Sequence, residues 1–435
     1  MNLYRRLLIF LENIHVLIFK RSSGRKMREF AINLSWSLGG FFFSSFILFF
    51  LNVSAGRILG PVGYGKYNLI LVLANIVSVV ILLGLNTTTT KFLAESKNEL
   101  EKKRILSNSI IIISITSLIS LCLFLLMLFL DLFNGLNLNP NLFFTAIIFA
   151  ILLSYKSLFD GIAKGLNLFE YQTKIRIAES LIVVIIFLLF FSQLKIGNFF
   201  YYAISLIGGM VFFCLFFYFK IKSYVIGWSM QHFKRIFKYT RDTIVITIIL
   251  MIVNYLDRIF VGRFIGLTDL GIYSAYLTSS SVFVGQIMIV LNNVFFPAVI
   301  LLEDKDAVKK QVDKLFIFFS IPVFFLFSIV SYGALYLFGN NFEKNILIIF
   351  AFSFASVLQL FGSLYKSLVS SHESKYGKYR KLSFTLPIFF IVFYGILVVF
   401  DLKNLNYATF AYVAFVSYNF TIIRLSCNYE KKKNI

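Results

Sequence analysis

The sequence predicts an all-α integral membrane protein with about 12 transmembrane helices, in two parallel six-helix repeats around a central cavity. Three observations carry this. The 435 residues are 59% hydrophobic and only 14% charged, whereas a soluble domain carries about a quarter charged residues. Lysine and arginine alternate between rich and poor segments, the pattern that orients spans in a membrane. One short stretch occurs twice at a fixed offset, as an internally repeated bundle would produce.

The apolar runs fall at about residues 31–55, 67–90, 105–130, 142–162, 176–194, 199–219, 243–261, 272–300, 315–338, 345–370, 383–400 and 407–427. A span takes about 20 apolar residues, so each run can cross. With the N-terminus in the cytoplasm, the segments on that side hold 32 of the 42 Lys and Arg, and the loops opposite hold 6. Both termini are therefore expected in the cytoplasm, in a multi-pass protein of the cytoplasmic (inner) membrane. The net charge of +22 resides in these loops, which argues against a nucleic-acid partner.

Five segments follow. Residues 1–30 form a cytoplasmic or interfacial segment, with Leu3, Leu7, Phe10, Ile14 and Leu17 at helical spacing. Residues 31–219 form an N-lobe and 242–427 a C-lobe, each with six spans. Residues 220–241 link them, either as an interfacial helix with Phe233, Ile236 and Phe237 on one face or as a basic, lipid-facing loop. Residues 428–435 are a basic cytoplasmic tail.

The repeated stretch is GRILGPVGYGKY at 56–67 and GRFIGLTDLGIY at 262–273, offset by 206 residues. The copies share Gly56/Gly262, Arg57/Arg263, Gly60/Gly266, Gly65/Gly271 and Tyr67/Tyr273. Each reads as a tight reversal between spans. Glycine permits positive φ, arginine snorkels to headgroups, and tyrosine suits the interface. The glycines are assigned to the reversal. The same offset carries Asn68, Asn75 and Asn86, read as one face of the second span, onto Ser274, Ser281 and Asn292. In the seventh span Thr243, Thr247, Asn254 and Arg258 share a face with Asp257 beside it, and in the tenth Ser356, Gln359, Ser363, Lys366 and Ser370 share an arc. Polar faces avoid lipid, so they line a cavity, the lobe interface or a close helix contact.

The intramembrane charges are the substrate-binding candidates: Lys156, Asp257, Arg258 and Lys366. Lys156 and Asp160, four apart, can pair on one helix face, so a structural salt bridge and a substrate contact both remain readings. Asp257 and Arg258 are adjacent, about 100° apart on a helix, and are expected to need partners elsewhere. Arg258 either snorkels or meets a ligand. Asn75, Asn86, Asn254, Ser281, Asn292 and Gln359 are candidate polar lining. The set is mostly basic and suits an anion such as a pyrophosphate. Cys122, Cys214 and Cys427, and His15, His232 and His372, have no metal-ligand spacing. No G-x-x-x-x-G-K-[ST] motif is present, so neither metal nor cofactor is expected.

At this point the chain resembles a known family. GRILGPVGYGKYNLILVLANIVSVVILLGLNTTTTKFLAES, GLNLFEYQTKIRIAES and NYLDRIFVGRFIGLTDLGIYSAY are similar to segments of Wzx-type oligosaccharide flippases, of the multidrug/oligosaccharidyl-lipid/polysaccharide (MOP) superfamily. The resemblance covers residues 30–300 and is generic beyond. It implies a transporter, not an enzyme, that moves a polyprenyl-pyrophosphate-linked oligosaccharide by alternating access for a cell-surface polysaccharide such as O-antigen. Its implied partners are the lipid-linked oligosaccharide, membrane lipids and other polysaccharide-assembly proteins. Two alternatives stand beside it: a cation-coupled multidrug antiporter of the same superfamily, and a membrane polysaccharide polymerase. The mostly basic buried charges argue against the first. Short outer loops without a histidine or a placed carboxylate pair argue against the second.

Overall fold

The computed structural model describes residues 25–96, 98–130, 140–192, 198–301, 305–371 and 373–427. Residues 1–24 of the N-terminal segment expected at 1–30, the tail at 428–435, and His15 and His372 lie outside them.

Helix follows helix throughout the described residues. The helical stretch Arg25–Leu82 is two helices, α1 (25–59) and α2 (61–82), broken at Gly60 with φ 66°. Pro61 opens α2, where its fixed φ suits a first turn and its missing N–H costs nothing. Then come α3 (Leu85–Glu95), α4 (Glu99–Phe129), α5 (Pro140–Gly165), α6 (Phe169–Leu189) and α7 (Phe200–Ile221). The C-lobe has α8 (Met230–Phe260), α9 (Leu267–Leu301), α10 (Lys305–Phe338), α11 (Ile346–Ser370), α12 (Glu373–Ser383), α13 (Thr385–Val399) and α14 (Leu405–Cys427). Among the described residues, eight stretches are by themselves long and apolar enough to cross a membrane, and one of these, Gly39–Leu82, contains two helices.

The offset governs the whole fold. α4 and α10 begin at Glu99 and Lys305, α5 and α11 at Pro140 and Ile346, and α7 and α14 end at Ile221 and Cys427, each pair 206 apart. Two exceptions are informative. Leu83 (φ 51°) and Gly84 (φ 75°) break the chain between α2 and α3, whereas α9 runs unbroken. Asn86 therefore starts a new helix and leaves the face of Asn68 and Asn75, against the sequence expectation. In the C-lobe, the break falls between α12 and α13 instead.

The second reversal is built as the first. A π-turn at Val261–Ile265 leads to Gly266, φ 156°, before α9. The two tyrosines do not sit at an interface. Tyr67 is packed against Tyr202 with ring centroids 4.5 Å apart, and both Tyr67 and Tyr273 are buried. Nor do all the glycines serve the reversals. A Cβ on Gly65 would overlap the Leu267 carbonyl oxygen and come within 3.1 Å of the Gly271 nitrogen. A Cβ on Gly271 would overlap the Pro61 carbonyl oxygen and come within 3.1 Å of the Gly65 nitrogen. Under the offset, Pro61 maps to Leu267 and Gly65 to Gly271, so the contact is symmetric. The lobes thus meet backbone to backbone where α2 crosses α9. Tyr64, with its hydroxyl 3.4 Å from that of Thr278 and its ring against Phe338 and Phe342, extends this contact. Deeper in, Gln286 of α9 donates to Ser45 of α1 at 2.8 Å.

At the opposite end α8 begins in the linker and continues into the C-lobe as one helix. Its first turns dock on the N-lobe. Arg235 pairs with Glu101 at 2.7 Å and lies over the Phe92 ring, and the hydroxyls of Thr240 and Thr88 are 3.1 Å apart. Outer faces such as Leu118, Ile119, Leu123 and Leu126 of α4 are exposed, as a lipid-facing surface requires.

Candidate functional site

The structure brings five of the sequence candidates to one place. Asn254, Asp257 and Arg258 of α8, Ser281 of α9 and Gln359 of α11 all line a cavity of about 250 Å³ within the C-lobe. Tyr394, Tyr412 and Asn419 complete its polar wall. An adjoining cavity of about 500 Å³ is lined by Gln359, Ser363, Lys366, Ser370 and Asn419 among others. Gln359, Val416 and Asn419 belong to both cavities, so the two form one polar cleft along α11 and α14. Lys366 is exposed in it, 6.0 Å above the Tyr379 ring. The serine arc of α11 continues the lining, and α11 is otherwise the apolar centre of the lobe.

Asp257 is 3% exposed. Its Oδ2 accepts from the Tyr273 hydroxyl at 2.8 Å, which gives the second copy's tyrosine a role the sequence did not suggest. Its Oδ1 lies 3.7 Å from Arg258 Nε. The adjacent pair therefore does meet, against expectation, because the long guanidinium stem curls back where the Cβ directions diverge. Arg258 also donates to the Asn254 carbonyl at 3.2 Å and covers the Tyr255 ring. Asp257 Oδ1, Arg258 Nε and Asn419 Oδ1 are nevertheless buried without a hydrogen-bond partner.

Lys156 lies elsewhere, in the N-lobe. It does not pair with Asp160 along α5. It pairs instead with Glu179 of α6, while Asp160 binds Arg176 at 2.6 Å and accepts from Gln172 at 2.5 Å. The Arg176 guanidinium stacks 3.8 Å from the Phe41 ring centroid of α1. Charge neutralisation across helices outweighs the i,i+4 option because Glu179 is buried and the other three groups are largely withdrawn from solvent. Sequence reading missed Arg176 and Glu179, because Arg176, at the very edge of its span, counts there with the loop charges. The basic and acidic residues three apart in IRIAES were the available signal. It also missed Tyr394, Tyr412 and Asn419, which no local pattern marks.

Asn75 and Asn86 do not join the cleft. Asn75 donates to the Leu71 carbonyl of its own helix at 2.7 Å. Asn86 donates to Ser157 of α5 at 3.2 Å, where Gly161 packs on its backbone. Asn292 is on α9, and its side chain lies outside those described, as do those of Thr243 and Thr247.

The cleft offers fixed cations, a sequestered carboxylate, amides and aromatic rings inside an apolar bundle. Such groups bind and orient a polar ligand. Residues 30–303 match a family model described as polysaccharide biosynthesis protein. No curated protein matches the chain in sequence. Among solved structures, it is similar to an inward-facing multidrug resistance MATE family transporter of the MOP superfamily. There the TM-score is 0.61 at 14% identity, covering 88% of this chain and 93% of that one. A MATE structure in a bent conformation gives 0.59 at 14%, covering 93% and 94%. A MOP superfamily transporter from Pyrococcus furiosus, described as having a binding pocket of reverse polarity, gives 0.59 at 13%, covering 91% and 94%. At these identities the likeness establishes the fold.

Proposed function

This chain belongs to the polysaccharide biosynthesis protein family, within the MOP superfamily of membrane transporters, and we propose that it flips a polyprenyl-pyrophosphate-linked oligosaccharide across the cytoplasmic membrane. The observation that carries this reading is the C-lobe cleft, whose accessible charges are Arg258 and Lys366 while the carboxylate of Asp257 is buried. A pyrophosphate needs a cation that keeps its charge, and the Lys366 ammonium inside an apolar bundle supplies it, with the Arg258 guanidinium beside it in the same cleft for the rest of the headgroup. The polar arc of α11 gives the headgroup a path while the polyprenyl tail stays in lipid.

On this reading the reversals face outward, and the Gly65–Gly271 crossing is the closed outer end. Alternating access then means that this crossing parts while the two lobes close toward each other at the linker end, where the first turns of α8 are already docked. Lys156, held by Glu179, serves as scaffold for the N-lobe wall. The rival reading, cation-coupled drug efflux, draws on Asp257 as a cation acceptor.

The test is deletion of the gene with assay of lipid-linked oligosaccharide by leaflet. Accumulation on the cytoplasmic side, reversed by the wild-type gene and not by Arg258→Glu or Lys366→Glu, is the expected result. Normal delivery with raised drug sensitivity would replace the reading with efflux.

A further inference from the structure

The smaller cavity has a composition that pyrophosphate binding does not explain. Three polar atoms on its lining residues are buried and make no hydrogen bond: two acceptors, Asp257 Oδ1 and Asn419 Oδ1, and one donor, Arg258 Nε, whose ion pair with Asp257 Oδ1 is 3.7 Å long. Buried polar atoms normally find hydrogen-bond partners, and one left without is destabilising. A fourth group is poised similarly. The Tyr412 oxygen accepts from Gln359 Nε2 at 2.9 Å, which leaves its proton to donate elsewhere. Mixed acceptors and donors this close together suit a ligand whose groups both give and take hydrogen bonds. A phosphate accepts and cannot satisfy the two oxygens. A hydroxyl does both.

The other walls agree. Phe390, Tyr394, Tyr412 and Phe415 bring aromatic surface to the same cavity, and aromatic faces stack on the apolar C–H side of a sugar. At about 250 Å³ the space is below the roughly 300 Å³ at which pockets for drug-sized ligands begin, so it holds one ring and not a chain. The adjoining 500 Å³ cavity contains Lys366 and, among the described residues that line it, no carboxylate.

We infer that the Asp257–Arg258–Asn419 cavity is a subsite for one hydroxyl-bearing sugar ring, beside a separate anion subsite at Lys366. This rests on the oligosaccharide reading above and divides that substrate between two places. Asp257 and Asn419 accept from ring hydroxyls, Arg258 and Tyr412 donate to them, and the buried carboxylate disfavours a uronate there. The Tyr273 hydroxyl fixes the Asp257 rotamer, so that Oδ1 is the oxygen presented.

The experiment uses the purified full-length protein in lipid nanodiscs and two probes. One is the oligosaccharide released by mild acid from the host's own carrier lipid, which removes the pyrophosphate. The other is inorganic pyrophosphate. Calorimetry on wild type should detect both. Asp257→Ala should weaken the glycan roughly tenfold or more and leave pyrophosphate within about twofold. Lys366→Gln should do the reverse. Tyr412→Phe, which keeps the ring and loses only the hydroxyl, should also weaken the glycan, and it stands in if Asp257→Ala does not fold. Failure of the glycan to bind wild type, equal binding by the Asp257 and Tyr412 variants, or joint loss of both probes in each variant would overturn the subsite. None of these outcomes depends on the leaflet assay, so the two ideas fail separately.

Discussion

Replacing Gly65 with alanine should loosen the outer crossing of the two lobes. The new Cβ would overlap the Leu267 carbonyl oxygen and lie 2.9 Å from its carbon. Both partners are backbone atoms, which cannot rotate away, so the helices must separate. Forcing extra carbon into a packed contact costs about 1–3 kcal/mol. If parting the lobes relieves the overlap, that energy moves the equilibrium toward the open outer end by roughly 5- to 150-fold. Gly271→Ala should act alike, since its Cβ meets Pro61 in the mirrored way. Val62 and Thr268, equivalent under the offset and both exposed, are suitable spin-label sites after Cys122, Cys214 and Cys427 are replaced. Electron–electron distances between labelled Val62→Cys and Thr268→Cys should then lengthen in Gly65→Ala. Gly39→Ala, whose Cβ meets nothing within 4 Å, should leave them unchanged. An unaltered distance distribution in a folded Gly65→Ala protein would show that this contact does not hold the lobes together.

Four further outcomes are expected. Glu179→Gln strands the Lys156 ammonium and should cost about 3–5 kcal/mol, read as a lowered melting temperature, while Lys156→Met with Glu179→Leu should recover most of it. Tyr273→Phe removes a hydrogen bond to a buried carboxylate and should cost about 1.5–3 kcal/mol in the same assay. Arg235→Glu turns an exposed pair into a like-charge contact; its effect should stay within about 1 kcal/mol and shrink in high salt. Burial, then the charge of Arg104, holds the His232 imidazole below its ordinary value. Its neutral form is therefore favoured by folding. That contribution is present above the unfolded value of about 6.5 and is lost as pH falls below it, a slope in melting temperature that His232→Gln should flatten.

The bundle was largely legible in the sequence because its signals are local. Apolar runs, charge-rich loops and the offset of 206 each follow from a residue and its near neighbours, and the helix bounds repeat at that offset across both lobes. Much of the cleft was legible too. Asn254, Asp257, Arg258, Ser281 and Gln359 were singled out as polar groups in apolar runs, and they meet at one cavity. Asn75 and Asn86 were singled out on the same grounds and do not, because an asparagine can also satisfy itself on its own helix or at a helix contact.

What the sequence determined alone was which segments are buried in lipid and that the chain is built twice. Hydrophobic transfer depends on composition and on nothing distant. Only the tertiary structure decided which charge answers which. Asp160 and Lys366 occupy equivalent positions, 206 apart, yet one is locked by Arg176 and the other faces a cavity. The two reversals likewise share their glycines, but Gly60 and Gly266 turn the chain while Gly65 and Gly271 let two backbones touch. Pairing of charges and close approach of helices depend on atoms brought from far along the chain, and a repeat written in sequence does not say where its copies meet.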